Sequence, residues 1–86
     1  MVHEFYPQGV CSMRMIIDVD DNTKIVNSVK IIGGCAGNTQ GVSVLVQGMH
    51  IDDVISRLKG IDCRGRGTSC PDQLAIAMEE IKAKLA

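Results

Sequence analysis

The chain is nearly without aromatic residues: it has Phe5, Tyr6 and no Trp among 86 residues. Its core must therefore be built from Ile, Val, Leu, Met and Ala; together with the other apolar types these make up 45% of the chain, a high share for one so short. An excess of charge is also missing. Nine basic residues against ten acidic ones leave a net charge of −1. No basic patch points to nucleic acid, and no charge run points to a membrane surface or a disordered tail. No apolar run approaches the roughly 20 residues of a membrane span. Residues 1–6 have neither the basic nor the apolar region of a signal peptide. These absences predict a cytoplasmic protein with no nucleic-acid and no membrane partner.

Several catalytic signatures are missing as well. The glycine-rich stretch Gly33–Gly37 lacks the Lys-Ser/Thr of a phosphate-binding loop. Asp18, Asp20 and Asp21 do not follow a calcium-loop pattern and read as a solvated turn. No Ser-His-Asp or Cys-His arrangement is supported. Linkers, repeats and low-complexity stretches are absent, so one domain is expected.

What the chain does have is periodicity. Residues 10–19 alternate, with Cys11, Met13, Met15, Ile17 and Val19 on one side, which is the pattern of a half-buried strand. Asp20-Asp21-Asn22 is a turn signal, and Lys24 to Ile32 is rich in β-branched residues. An antiparallel hairpin follows from these, with residues 3–6 as a short edge strand before Pro7. The period then changes. After the glycines, Asn38 or Thr39 can cap a helix running to about Gln47, with Val42, Leu45 and Val46 inward. Residues 51–59 read as a second helix, with Asp52 and Asp53 in its first turn, Lys59 near its end and Gly60 as its stop. His50 sits where it would cap that helix or remain solvated. Residues 61–67 read as loop. Ser69 and Asp72 have capping-box spacing, Pro71 suits a first turn, and Leu74, Met78, Ile81 and Leu85 form one stripe of a last helix. Strands followed by helices predict an α+β fold: a small antiparallel sheet of two or three strands, then three helices packed on one face.

The four cysteines, Cys11, Cys35, Cys63 and Cys70, carry the chemistry. In a reducing compartment, four thiols in a small chain suggest metal binding or redox work more than structural disulfides. There is no C-x-x-C, so the case rests on position and not on spacing. Cys35 lies in a glycine turn between a strand and a helix, and Cys70 at another helix start, where amides favour the thiolate. Thiolates are what zinc and iron–sulfur clusters require. Gly33, Gly34 and Gly37 let the backbone close around a ligand, Arg64 and Arg66 offset the charge of a thiolate site, and Ser69 and Asp72 shape the helix start. The alternative is four unconnected thiols, some buried as small hydrophobes, Cys11 first among them. Dithiol chemistry between Cys63 and Cys70 is a further alternative, as is a zinc staple in an interaction module without catalysis.

Thr68-Ser69-Cys70-Pro71-Asp72 spells the TSCPD signature. With Gly9-Val10-Cys11, Gly33-Gly34-Cys35-Ala36-Gly37-Asn38 and Lys59-Gly60-Ile61-Asp62-Cys63, it makes residues 1–86 resemble a stand-alone TSCPD domain. A similar domain ends cobalamin-dependent ribonucleotide reductases, whose name family members often carry. The resemblance implies an accessory to a partner enzyme such as a reductase. Eighty-six residues cannot enclose a reductase's barrel, nucleotide sites and cofactor pocket. A second, weaker resemblance is to NifU/IscU-type iron–sulfur scaffolds, which hold a cluster on three cysteines. By position these would be Cys11, Cys35 and Cys70, and Gly48–Val54 resembles the scaffold's helix start. Met13 stands where the scaffold has an Asp, the Arg64–Gly67 loop replaces its chaperone-recognition loop, and Cys63 is extra. A closed four-cysteine site favours stable binding over hand-off. The resemblances together imply a small cysteine-site protein that binds iron–sulfur or zinc, with a protein partner of unknown identity. Its small size and apolar edge are also compatible with a homodimer.

Overall fold

The structure is a computed structural model. It describes the chain apart from Cys11, Gly34, Cys35, Cys63, Arg64, Arg66 and Ala86, and describes Ala36, Gly37 and Asn38 by their backbone alone. The elements follow in the order β1 (Val2–Phe5), β2 (Ser12–Val19), β3 (Val26–Gly33), α1 (Ala36–Val46), α2 (Ile51–Leu58) and α3 (Cys70–Leu85). The sheet has three antiparallel strands in the order β1-β2-β3. The α+β class expected from the periodicity is therefore the observed one.

The hairpin forms because Asp20 organises its turn. Asp20 Oδ1 accepts the N–H groups of Asn22 and Thr23 at 2.8 and 2.9 Å, an Asx-type turn. Lys24 takes the left-handed conformation, with φ 59°. That residue cannot continue a strand, so β3 starts at Val26, two residues later than its composition suggests. Ile25 instead bridges to His50.

One face of the sheet carries the core. Phe5, Met15, Ile17, Val19, Val26 and Val29 are buried against Val46, Ile51, Val54, Leu74, Ala77, Met78 and Ile81 of the helices. The alternate positions Val2, Glu4 and Lys30 are exposed on the other face. In α3 the stripe is as expected, with Leu74, Met78 and Ile81 fully buried and Leu85 packed at its margin.

Three expectations are corrected. Met13 is 66% exposed, and Ser12 is the residue turned inward. The register explains it: Ser12 pairs with Gly33 and Arg14 with Ile32, so Met13 is an extra residue in a bulge that reverses the alternation. Leu45 is 70% exposed, because the buried face of α1 runs through Thr39 and Val46, with Val42 at its edge. The first helix also begins at Ala36, earlier than a cap at Asn38 or Thr39 would allow.

His3, buried on β1, sits between two α3 side chains. Its Nδ1 accepts from Lys84 Nζ at 3.0 Å and its Nε2 donates to Glu80 at 3.2 Å, which ties the first strand to the last helix. Among the described residues no helix is long and apolar enough to cross a membrane.

Candidate functional site

Cys70 is the first residue of α3. Its thiol is free and half-buried. Ser69, the residue before it, caps the helix: its buried hydroxyl accepts the N–H of Asp72 at 3.1 Å. Pro71 sits in the first turn, where no N–H is needed.

The reciprocal half of the expected capping box does not form. The Asp72 carboxylate turns away from the cap and closes a loop instead. Its Oδ1 accepts Gly60 N–H and its Oδ2 accepts the Thr68 hydroxyl, each at 2.6 Å. These partners hold the Asp72 carboxyl below the usual carboxylate range, the Thr68 hydroxyl most, then Gly60 N–H, with a smaller push from Lys59; burial acts the other way. Loop 60–68 is thus fastened at both ends to one side chain on α3. Within it, the Asp62 carboxylate accepts the N–H groups of Gly65 and Gly67.

Gln73, the next residue on the helix, extends the network. Its Nε2 donates to Thr68 Oγ1 at 2.9 Å, and its Oε1 accepts the N–H of Gln8 at 3.1 Å. The β1–β2 connection is therefore drawn to the same spot. It crosses Thr68 so closely that a Cβ on Gly9, which has φ +73°, would meet Thr68 Cγ2 at 3.2 Å.

From that connection the chain enters β2. The Ser12 side chain is buried, and its Oγ lies 3.3 Å from Cys70 Sγ. Ser12 also pairs with Gly33, which ends β3 with φ +84°. The start of β2, the end of β3 and the start of α3 thus meet at one end of the sheet.

Of the expected site residues, Cys70, Ser69, Asp72 and Gly33 lie within this junction. Cys11, Cys35, Cys63, Gly34, Arg64 and Arg66 lie outside the described residues, and Gly37 is described only by its backbone place in the first turn of α1. Among the described residues no three His, Cys, Asp or Glu side chains gather to hold a metal ion. Nor does any buried side-chain nitrogen or oxygen among them lack a hydrogen-bond partner. The polar side-chain atoms of Thr68, Ser69 and Asp72 are taken up by the fold, and Cys70 is the cysteine among the described residues of the junction. His50 is a cap: its Nδ1 accepts the N–H of Asp52 at 3.1 Å.

Three residues of the junction, Ser12, Thr68 and Gln73, have roles that the sequence alone does not assign. Thr68 was visible as the first letter of the signature. Gln73 carries no signal beyond its place beside the apolar stripe, and the inward turn of Ser12 is set by the bulge.

No curated protein and no solved structure matches the chain. A family model, that of the TSCPD domain, matches residues 1–82, which takes in every strand and nearly all of the last helix. The junction just described is built around that family's signature, Thr68 to Asp72, and this chain belongs to the TSCPD-domain family.

Proposed function

We propose that the protein binds a metal ion or an iron–sulfur cluster through the thiolates of Cys11, Cys35, Cys63 and Cys70, and that it serves a partner enzyme as an accessory or carrier. The observation that carries this reading is the meeting of Ser12, Gly33 and Cys70. Ser12 touches the Cys70 sulfur and pairs with Gly33. Cys11 directly precedes Ser12 in the chain, and Cys35 follows Gly33 by two residues. Both cysteines thus stand beside the junction in sequence. Cys63 belongs to the loop whose two ends are fastened to Asp72.

The donor chemistry fits. Sulfur ligands select zinc and iron–sulfur clusters over hard cations. A bound zinc ion would supply rigidity, and a cluster would supply an electron or its own atoms. The Ser12 hydroxyl is placed to donate to a Cys70 thiolate, and Arg64 and Arg66 would balance the charge. The alternatives are dithiol cycling of Cys63 with Cys70 and a zinc staple alone.

Anaerobic purification, a visible spectrum and assay of iron, zinc and sulfide per chain test this reading, repeated with Cys→Ser at each of the four positions. Brown protein whose colour is lost in Cys35→Ser or Cys70→Ser supports a cluster. Colourless protein with one zinc per chain supports the zinc form. Folded, metal-free protein with four free thiols overturns the proposal and leaves dithiol chemistry in front.

A further inference from the structure

The core covers one face of the sheet, and the other face is a grid of three strands by three rows. Val2 and Glu4 point outward from β1, with Tyr6 just beyond it; Arg14, Ile16 and Asp18 point outward from β2, and Ser28, Lys30 and Ile32 from β3. The register sets Asp18 between Val2 and Ser28, sets Ile16 between Glu4 and Lys30, and pairs Arg14 with Ile32. Tyr6 completes the row of Arg14, and its hydroxyl donates to Glu4 Oε2 at 3.1 Å on the same side. Arg14 thus stands diagonally to Glu4, and Lys30 diagonally to Asp18. Even so, among the described residues neither Arg14 nor Lys30 makes an ion pair, and Asp18 reaches the N-terminal amine at 3.6 Å. Two cations on an open, partly apolar face therefore have no counter-charge in their own chain.

We propose that a second copy of this chain docks on that face, sheet against sheet, about a two-fold axis running diagonally from Tyr6 through Ile16 to Ser28. Such a dimer is isologous, so the axis decides which residue each side chain meets. The grid offers four axes. Along the strands, Asp18 and Arg14 each meet their own copies. Across the strands, Glu4 and Lys30 do. On the diagonal from Val2 to Ile32, Glu4 meets Asp18 and Arg14 meets Lys30. The diagonal from Tyr6 to Ser28 alone sets every charge against its opposite: Glu4 against Arg14 and Asp18 against Lys30, each twice. It also lays Val2 on Ile32 and brings Ile16 onto its own copy at the centre. The strands of the two sheets then cross at close to a right angle, one of the two arrangements in which sheets pack. The grid is smaller than the roughly 20–30 residues a side of a standard interface, so the contact belongs to the weak, reversible class. No cysteine is in the grid, and the inference stands apart from the metal-site reading.

Sedimentation equilibrium of the full chain tests this, with reductant present and protein concentrations extended to the millimolar range. The melting of every variant is recorded beside it to show that the fold is kept. The expected result is a reversible dimer that weakens as salt is raised. Lys30→Asp sets like charges against each other at two symmetric places and should weaken the dimer about 10-fold or more; Asp18→Lys should do the same. The double variant Asp18→Lys/Lys30→Asp exchanges the two charges and should return to near the affinity of the unaltered protein. Arg57→Asp, at an exposed position on α2 away from the sheet, should change nothing. A monomer at every concentration overturns the proposal. So does a dimer that tolerates Lys30→Asp, because it uses another surface. Additive loss in the double variant also overturns it, since the two positions would not face each other. If Asp18→Lys fails to fold, Glu4→Lys with Arg14→Glu makes the same exchange across the other pair and carries the same expectations.

Discussion

Ser12 Oγ and Cys70 Sγ lie 3.3 Å apart, although 58 positions separate them in the chain. The contact joins the first residue of β2 to the first residue of α3. When Cys70 is ionised, its sulfur can only accept, so the Ser12 hydroxyl donates to the thiolate. The thiolate is also the form that reacts. Ser12→Ala should therefore slow alkylation of Cys70 by iodoacetamide near neutral pH. The expected change is about 2- to 10-fold, the equivalent of one hydrogen bond worth about 0.5–1.5 kcal/mol. Peptide-resolved mass spectrometry of the metal-free protein measures it, and an unchanged rate would show that the hydroxyl does not support the thiolate.

The bulge at Met13 and the stripe on α3 lead to opposite expectations for two apolar residues. Leu74 is fully buried, and Leu74→Ala should cost about 2–5 kcal/mol. Met13→Ser, at a position 66% exposed, should stay within about 0.5 kcal/mol. Urea denaturation of both variants checks the pair. A large loss at Met13 would contradict the outward placement of that side chain.

His50 closes the N-terminus of α2 through Nδ1. His50→Ala should cost about 0.5–1 kcal/mol, and His50→Asp should recover the loss, because Asp is a strong cap and also complements the helix dipole. Thermal melting of the two variants at neutral pH is sufficient.

Acid should weaken the hairpin turn. The carboxyl of Asp20 is held below the usual carboxylate range, mainly by Thr23 N–H and then by Asn22 N–H. Its folded-state pKa is depressed, so the unfolded chain binds the proton more readily. The stabilisation is present in full above the unfolded value of about 3.9 and is lost as pH falls through the lower folded value. Asp52, lowered chiefly by its contact with Lys82, acts in the same direction. Melting temperature against pH should be insensitive to Asp20 above about pH 5 and should decline below about pH 4. In Asp20→Asn that decline should be shallower.

Much of this fold was legible because its signals are periodic. The β2 alternation from Met15 to Val19, the α3 stripe and the Asp20 turn each depend on neighbours in sequence, and each stands in the structure. The misreadings came where a partner element decides. Met13 and Ser12 exchange roles because β3 opposes two residues of β2 with one step of its own. Asp72 has the spacing of a capping residue but finds Gly60 and Thr68 nearer to its charge. The candidate site was legible only as a set of thiols. Four widely spaced cysteines do not reveal which strand ends meet, and the contact of Ser12 with Cys70 has no counterpart in any spacing rule.

The carboxylate of Asp72 has a consequence for how such a chain can vary. It holds Gly60 on one oxygen and Thr68 on the other, like a clasp on the neck of a loop. The closure entropy of a loop grows only slowly with length, by about 0.6 kcal/mol per doubling. Residues inserted or deleted between Asp62 and Gly67 would therefore change what the loop offers to its surroundings while leaving the clasp, the sheet and the helix end unmoved. The signature fixes where the loop starts and stops, so its length can change without moving either end.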